Sequence, residues 1–404
     1  MGDHKAAYDK VIDQLNTCVM KIDHFQGIDM LPRKFEGAPN WRQMGSLFVF
    51  GSAQPTYEGI QNVLELYQSI GVKKVLWINM RTEPVVYVQK KSFAPRLKEN
   101  PKENLEIEDL SVDHIFELEN YLIEKVLLPS IKSNSNSMHY FRDTYSLIPA
   151  DRIDTEHTMA DIKDDDVVTV SSMYKHVNRD AVVPIEFVRV PINDVPNERV
   201  PELGDFDYLV ETVCSKVDKT TAVHCNCQMG RGRTTTGMFI CALIMSKSQH
   251  KTIDVQLVAK KEKTCENGYY SFVRELIKLW PEAENVKLEI DAMMDLCDHL
   301  INMRQFIWKC KTEYENESGK GNQSRADFWR NLAINYVERY VYFILFGMYL
   351  TENFSAGSAG EKCSTFKTWC GRKDDLFVKV IGRKPGQRED IDKINSLLGN
   401  FKWD

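Results

Sequence analysis

What this sequence lacks narrows it before any motif is read. No uninterrupted apolar run reaches the roughly 20 residues a bilayer span needs. The best stretch, Tyr340 to Leu350, is too short and has Glu338 and Arg339 at one flank. The N-terminus, Met1-Gly2-Asp3-His4-Lys5-Ala6, lacks the apolar core of a signal peptide. Ala6 stands where a myristoylation pattern wants Ser or Thr. No clear internal repeat and no long low-complexity tract is visible. The ten cysteines follow neither a disulfide framework nor metal-ligand spacing, and Cys225 and Cys227 are too close together for a Cys-x-x-Cys turn. Excess positive charge is also missing: the net charge of −6 argues against a general nucleic-acid binder but does not exclude one basic cleft. The expectation is a cytoplasmic protein in a reducing compartment, using no metal and no cofactor.

What is present suffices for a sizeable core. The chain has 404 residues, 43% of them hydrophobic and 27% charged, enough for one large or two ordinary domains. Leu47 to Phe50 predicts a strand. Thr56 then caps a helix to about Ile70, with Ile60, Val63, Leu64 and Tyr67 at helical spacing and Gly71 as its stop. Val75 to Ile78 and Val85 to Val88 predict further strands, and 90–108, with Pro95 and Pro101, a surface loop. A helix is expected over 112–128, strands over 167–170 and 185–190, and a proline-bearing loop over 191–201. A helix over 205–217, a short central strand over 221–224 and an apolar helix over 234–245 follow. Lys175, His176 and Arg179 read as a solvated basic turn. From about residue 284 the pattern turns helical, with stretches 286–309 and 328–350 and a mobile polar segment, 315–323, between them. The strand–helix alternation predicts an α/β domain over 1–283, with a mostly parallel central sheet, and a helical C-terminal region over 284–404 packed on it.

The chemistry concentrates in His224-Cys225-Asn226-Cys227-Gln228-Met229-Gly230-Arg231-Gly232-Arg233-Thr234. Two overlapping Cys-x5-Arg readings exist, Cys225 with Arg231 and Cys227 with Arg233. A turn that wraps an anion aims several backbone N–H groups at it, needs small residues where the chain bends, and ends at a helix N-terminus. Only the second reading puts Gly230 and Gly232 inside the loop and the helix directly after the arginine. Cys225 is then a buried structural thiol and His224 a strand-end residue.

An ordinary thiol, with a pKa of about 8.5, is mostly protonated at neutral pH. The loop amides of Gln228, Met229, Gly230, Arg231 and Gly232, the helix dipole and Arg233 would favour Cys227 as thiolate and hold the substrate phosphate. Cys227 is the candidate nucleophile. Arg233 offers a planar fork to two phosphate oxygens, and Thr234 is a candidate hydrogen-bond donor to the sulfur. A leaving alkoxide needs a proton. Asp194, on the loop after strand 185–190, is the leading candidate acid; Asp205 and Asp207, in the first turn of the next helix, are alternatives more suited to capping. Arg81 and Arg96 read first as salt-bridge residues and second as substrate contacts.

The run Cys227-x-x-Gly230-x-Gly232-Arg233-Thr234 resembles the signature of the protein-tyrosine-phosphatase superfamily. Asn226 to Thr235 resembles more closely its paladin and phytase-like branch, as do Gly51 to Thr56, Asn79 to Tyr87 and the stretch around Tyr336 to Val341. The resemblance implies that superfamily's fold and phosphorylated inositols or phosphoinositides as substrates, with peripheral membrane contact one consequence of the latter. Arg231 adds a second cation suited to a substrate bearing several phosphates. The superfamily usually has His before the nucleophile, and here it is Asn226. Three functions therefore stay open: an inositide phosphatase, a pseudophosphatase that binds without turnover, and a protein tyrosine or dual-specificity phosphatase.

Overall fold

The computed structural model describes residues 2–25, 27–101, 104–105, 107, 110–145, 152–192, 200–249, 253–296, 300, 302–354 and 364–373. The chain divides into two compact units: residues 1–43, 48–193 and 217–238, and residues 44–47, 194–216 and 239–404. The boundary expected at 283 is thus not where the contacts divide. The stretches 194–216 and 239–283 group with the C-terminal helices.

The first unit holds two sheets. One has five strands in the order Ile185–Arg189, Lys74–Asn79, Thr221–Asn226, Val49–Ser52, Arg42–Gln43. Its first four are parallel and the last is antiparallel, which is the mostly parallel sheet the sequence predicts. Strand Thr221–Asn226 is buried throughout, as expected of a parallel strand covered on both faces. Helix Tyr57–Ser69 begins where Thr56 predicts: the Thr56 hydroxyl accepts the Gly59 N–H at 3.0 Å. Its buried Ile60, Val63, Leu64 and Tyr67 join Phe50, Trp77 and Tyr174 in the core.

The other sheet has six strands, ordered Arg152–Met159, Met138–Tyr145, Val19–Ile22, Lys91–Arg96, Val86–Val88, Val167–Thr169. It corrects the expected loop over 90–108. Lys91–Arg96 is a strand whose last five residues are buried, and Pro95 pairs with Met20 of Val19–Ile22. A partner more than 70 residues upstream in sequence overrides the local loop signal of charge and proline. Val170 is helical rather than extended: Thr169 caps helix Val170–Arg179. Lys175, His176 and Arg179 therefore lie on a helix, not a turn. The expected helix over 112–128 continues through a π-helical stretch, Leu122–Leu127, into Leu128–Ser133, where Pro129 removes a backbone donor.

The second unit is helical: Leu203–Lys216, Ala283–Leu296, Met303–Gly319, Gln323–Phe354 and Phe366–Gly371. The expected stretch 286–309 is two helices, the second capped by the Asn302 side chain. The polar segment 315–323 is ordered: it ends one helix and turns at Gly321 (φ 73°). There the Glu317 carboxylate accepts from Lys320 at 2.9 Å and Asn322 at 3.0 Å. Phe206, Phe343, Phe346 and Phe366 pack ring against ring. Among the described residues no helix is long and apolar enough to cross a membrane.

Candidate phosphate-binding site

Strand Thr221–Asn226 ends one residue before Cys227, and helix Gly232–Ser248 begins one residue before Arg233. The intervening turn is therefore pinned between a central strand and a helix N-terminus, the arrangement that concentrates partial positive charge. Cys227 and Arg233 are both buried, at 4% and 5% exposure.

The shape of the turn is set by three outside donors on three successive carbonyls. The Gln54 N–H donates to the Gln228 carbonyl at 3.1 Å. The Asn40 side-chain amide donates to the Met229 carbonyl at 2.9 Å. The Arg42 guanidinium donates to the Gly230 carbonyl at 2.7 Å. In a trans peptide the C=O and the next N–H point opposite ways. The amides of Met229, Gly230 and Arg231 are therefore turned away from these donors, as an anion cradle requires. Gly230 is needed for this path: its φ is +70°, and a Cβ there would lie 2.3 Å from the Ala53 backbone nitrogen.

Arg233 is held by Glu83 through two contacts, 3.0 Å to Oε2 and 3.4 Å to Oε1. Glu83 also accepts from Arg81 Nε at 2.7 Å, and Arg81 forks onto Asp23 at 2.6 and 3.1 Å. All four side chains are buried. Burial alone would raise the Glu83 pKa, but the Arg233 and Arg81 guanidiniums overcome it and hold the carboxyl well below its ordinary value. Arg81 is thus an internal strut rather than a substrate contact. Arg96 is buried too and donates to the Pro95 carbonyl at 3.2 Å. Burial pushes its pKa down to about 10.

Below the loop lies a neutral network. Asn226 accepts from Trp77 Nε1 at 3.0 Å and donates to Gln54 Oε1 at 3.0 Å. Gln54 Oε1 also accepts from Asn79 at 3.0 Å, and Gln54 Nε2 donates to Tyr87 Oη at 2.8 Å. His224 lies inside the strand rather than at its end, because the strand runs on to Asn226, and it is stacked on Trp77 at 3.9 Å. Its ring nitrogens meet Tyr67 Oη at 2.7 Å and Ser52 Oγ at 2.9 Å. Ser52 donates its own proton to the Ala53 carbonyl, so His224 Nε2 carries the hydrogen. Burial first, and the Arg42 charge second, push its pKa down to about 3. Cys225 is buried.

Thr234 requires a correction. Its hydroxyl donates to the Ser52 carbonyl at 3.2 Å, so its single proton is committed to bracing the loop against strand Val49–Ser52 rather than to the sulfur. Arg231 is partly exposed. Asp194 lies outside the described residues. Asp205 accepts the Glu202 N–H at 2.8 Å, and Asp207 accepts the N–H groups of Phe366 and Lys367 at 2.5 and 3.1 Å. Asp205 serves at the start of its own helix, as its position suggests, whereas Asp207 caps a different helix, Phe366–Gly371. Sequence reasoning missed Asn40, Arg42, Gln54, Asp23 and Glu83 as parts of the site. Glu83 and Gln54 carried a signal, lying in the Asn79 to Tyr87 and Gly51 to Thr56 stretches; Asn40, Arg42 and Asp23 carried none. Among the described residues no group of His, Cys, Asp and Glu could hold a metal ion.

Comparison with known proteins follows the same lines. The family profile PTPlike_phytase, described as "Inositol hexakisphosphate", matches residues 78–245, which include the whole turn. Paladin of Danio rerio is 27% identical over 358 residues, covering 82% of this chain and 39% of the relative. Paladin of Homo sapiens is 25% identical over 362 residues, covering 84% and 40%. The chain thus spans about two fifths of the curated relatives it matches. Among solved structures, the PTP-like myo-inositol phosphatase of Mitsuokella multacida, in complex with myo-inositol-(1,3,4,5)-tetrakisphosphate, has a TM-score of 0.52 at 15% identity, covering 88% of this chain and 48% of that one. The tandemly repeated PTP-like phytase of the same organism gives 0.52 at 14%, with the same coverage. These structures share the fold.

Proposed function

We propose that this chain, which resembles the paladin and phytase-like branch of the protein-tyrosine-phosphatase superfamily, is a cysteine-dependent phosphatase acting on phosphorylated inositols. The observation that carries the reading is the turn after Asn226. Three consecutive carbonyls are tied outward, and a guanidinium is fixed by a carboxylate one residue into the following helix.

In this reading the Cys227 thiolate attacks phosphorus as the bond to the leaving oxygen breaks. Asp194 supplies the proton that the leaving alkoxide takes up. Water then attacks the cysteinyl phosphate, the P–S bond breaks with its electrons returning to sulfur, and the Asp194 carboxylate receives the proton from water. Arg233 and the amides of 228–232 hold the phosphoryl oxygens through both steps. Arg231 favours a substrate with several phosphates, which is why inositol phosphates or phosphoinositides rank above phosphotyrosine.

A second reading, a binding protein without turnover, is favoured by Asn226. Its side chain is consumed by Trp77 and Gln54, and it cannot supply the charge that a protonated histidine could. The test is phosphate release from an inositol phosphate panel, phosphoinositide vesicles and phosphotyrosine peptides, with Cys227→Ser beside the native protein and chelator present. Release by the native protein alone supports the enzyme. Equal release by both ends the role of Cys227. Tight binding with no release favours the second reading.

A further inference from the structure

We infer that Asn40 and Arg42 are positioning residues for the phosphate turn, acting from behind it on the peptides whose amides would face the phosphate. This rests on the reading of 227–233 as an anion cradle and adds two residues that neither the Cys-x5-Arg pattern nor the helix that follows it contains.

The geometry is that of a strap. Residues 40–42 run alongside the turn and place two side chains on its carbonyl edge. Asn40 has a left-handed backbone, φ +56°, uncommon for any residue but glycine, asparagine and aspartate. Its side chain is fixed at both ends. The Asn40 Oδ1 accepts the Met30 N–H at 2.8 Å, and Nδ2 donates to the Ile28 carbonyl at 2.8 Å and the Met229 carbonyl at 2.9 Å. The Asp29 carboxylate accepts the Asn40 N–H at 3.1 Å. Arg42 then locks the strap to itself and to the turn: Nη1 donates to the Asn40 carbonyl at 2.9 Å and the Gly230 carbonyl at 2.7 Å. Its Nη2 donates to the Thr235 hydroxyl at 2.8 Å, which itself donates to the Arg231 carbonyl.

An arginine does more here than a neutral donor. A charge-assisted bond to the Gly230 carbonyl polarises the peptide joining Gly230 to Arg231, making the Arg231 N–H a stronger donor on the opposite side. The guanidinium also adds positive potential behind the turn. A merely structural strap would hold the fold and leave the anion affinity and the thiol unaffected. A positioning strap changes both.

The experiment reads Cys227 directly. The full chain is alkylated with iodoacetamide across a pH series, with and without inorganic phosphate. Modification at Cys227 is followed by peptide mass spectrometry, with the exposed Cys214 as internal control. In Arg42→Met and Asn40→Gly, the latter keeping the backbone conformation open, the alkylation midpoint of Cys227 should move to higher pH. Phosphate protection should weaken by about 3- to 10-fold per lost bond, with Cys214 unchanged. If Arg42→Met does not fold, Arg42→Lys, which keeps the charge but loses the fork, carries the same readouts with a smaller shift. Folded variants with the native midpoint and native phosphate protection overturn the inference, as does a native protein that phosphate does not protect. Phosphate protection of a native protein that releases no more phosphate than Cys227→Ser would instead overturn the enzymatic reading and leave the strap standing.

Discussion

Glu83 grips Arg233 with both carboxylate oxygens while sharing Oε1 with Arg81. One buried anion therefore neutralises the cation at the start of the helix and aims it. Asp23 balances the second guanidinium.

Breaking this arrangement removes the carboxylate charge that Arg233 and Arg81 share. Glu83→Gln should cost about 3–5 kcal/mol, seen as a lower Tm by circular dichroism, and should slow phosphate release more than it weakens substrate binding. Because Glu83 is held well below its ordinary value of 4.5, its contribution is full above that pH and is lost as pH falls towards the folded-state value. A variant that melts like the native protein would remove Glu83 from this role.

Gly230→Ala and Gly71→Ala separate two costs of a positive φ. At Gly71 (φ +86°) nothing lies within 4 Å of an added Cβ, so only backbone strain, about 1 kcal/mol, should appear in denaturant unfolding. At Gly230 the Cβ meets the Ala53 nitrogen at 2.3 Å and the Ser52 carbonyl carbon at 2.5 Å. The Ala53 N–H is itself bonded to Pro39, so the backbone cannot yield cheaply. Gly230→Ala should cost ~2 kcal/mol or more and abolish phosphate binding by calorimetry, whereas Gly71→Ala should leave binding intact.

His224 predicts an acid sensitivity with a definite sign. Its pKa falls from 6.5 to about 3 on folding, so below about pH 6.5 the unfolded chain takes up a proton that the native state refuses. Stability is fully present above pH 6.5 and declines as pH falls towards 3, by on the order of 5 kcal/mol if the whole window is crossed. His24, also pushed down by burial, acts in the same direction. His224→Phe should flatten the slope of unfolding free energy between about pH 6.5 and 5, measured by urea titration; an unchanged slope would refute the assignment.

Gln54→Leu should strand the amide protons of Asn226 and Asn79 that Gln54 Oε1 now accepts. At roughly 1–3 kcal/mol per unsatisfied buried donor, a loss of about 2–6 kcal/mol is expected in denaturant unfolding. Asn226→Leu on that background should cost less than it does alone. Strict additivity in the double-mutant cycle would show that the two side chains do not interact.

Much of this was legible in the residues themselves. Thr56, Gly71 and the apolar spacing between them gave a helix close to the one observed. The strand–turn–helix around Cys227 followed from small residues placed where a chain must wrap an anion. Asp205 looked like a cap of its own helix and is one; Asp207 caps instead the distant helix Phe366–Gly371. Illegible were the strand Lys91–Arg96, whose pairing with Val19–Ile22 contradicts its local proline and charge, and the helix start at Val170, hidden inside a β-branched run.

The sequence alone determined which atoms do the proposed chemistry, because a nucleophile, its glycines and its arginine lie within seven consecutive positions and need only local geometry. Tertiary structure decided what holds them: Asn40, Arg42 and Glu83 reach the turn from 189, 188 and 150 residues away. Arg42 arrives on the antiparallel edge strand, Asn40 and Glu83 on the loops that flank the sheet, and a one-residue slip of that edge strand would turn Arg42 to the other face. Periodicity read along a chain reports which face is apolar but not which distant strand will lie beside it.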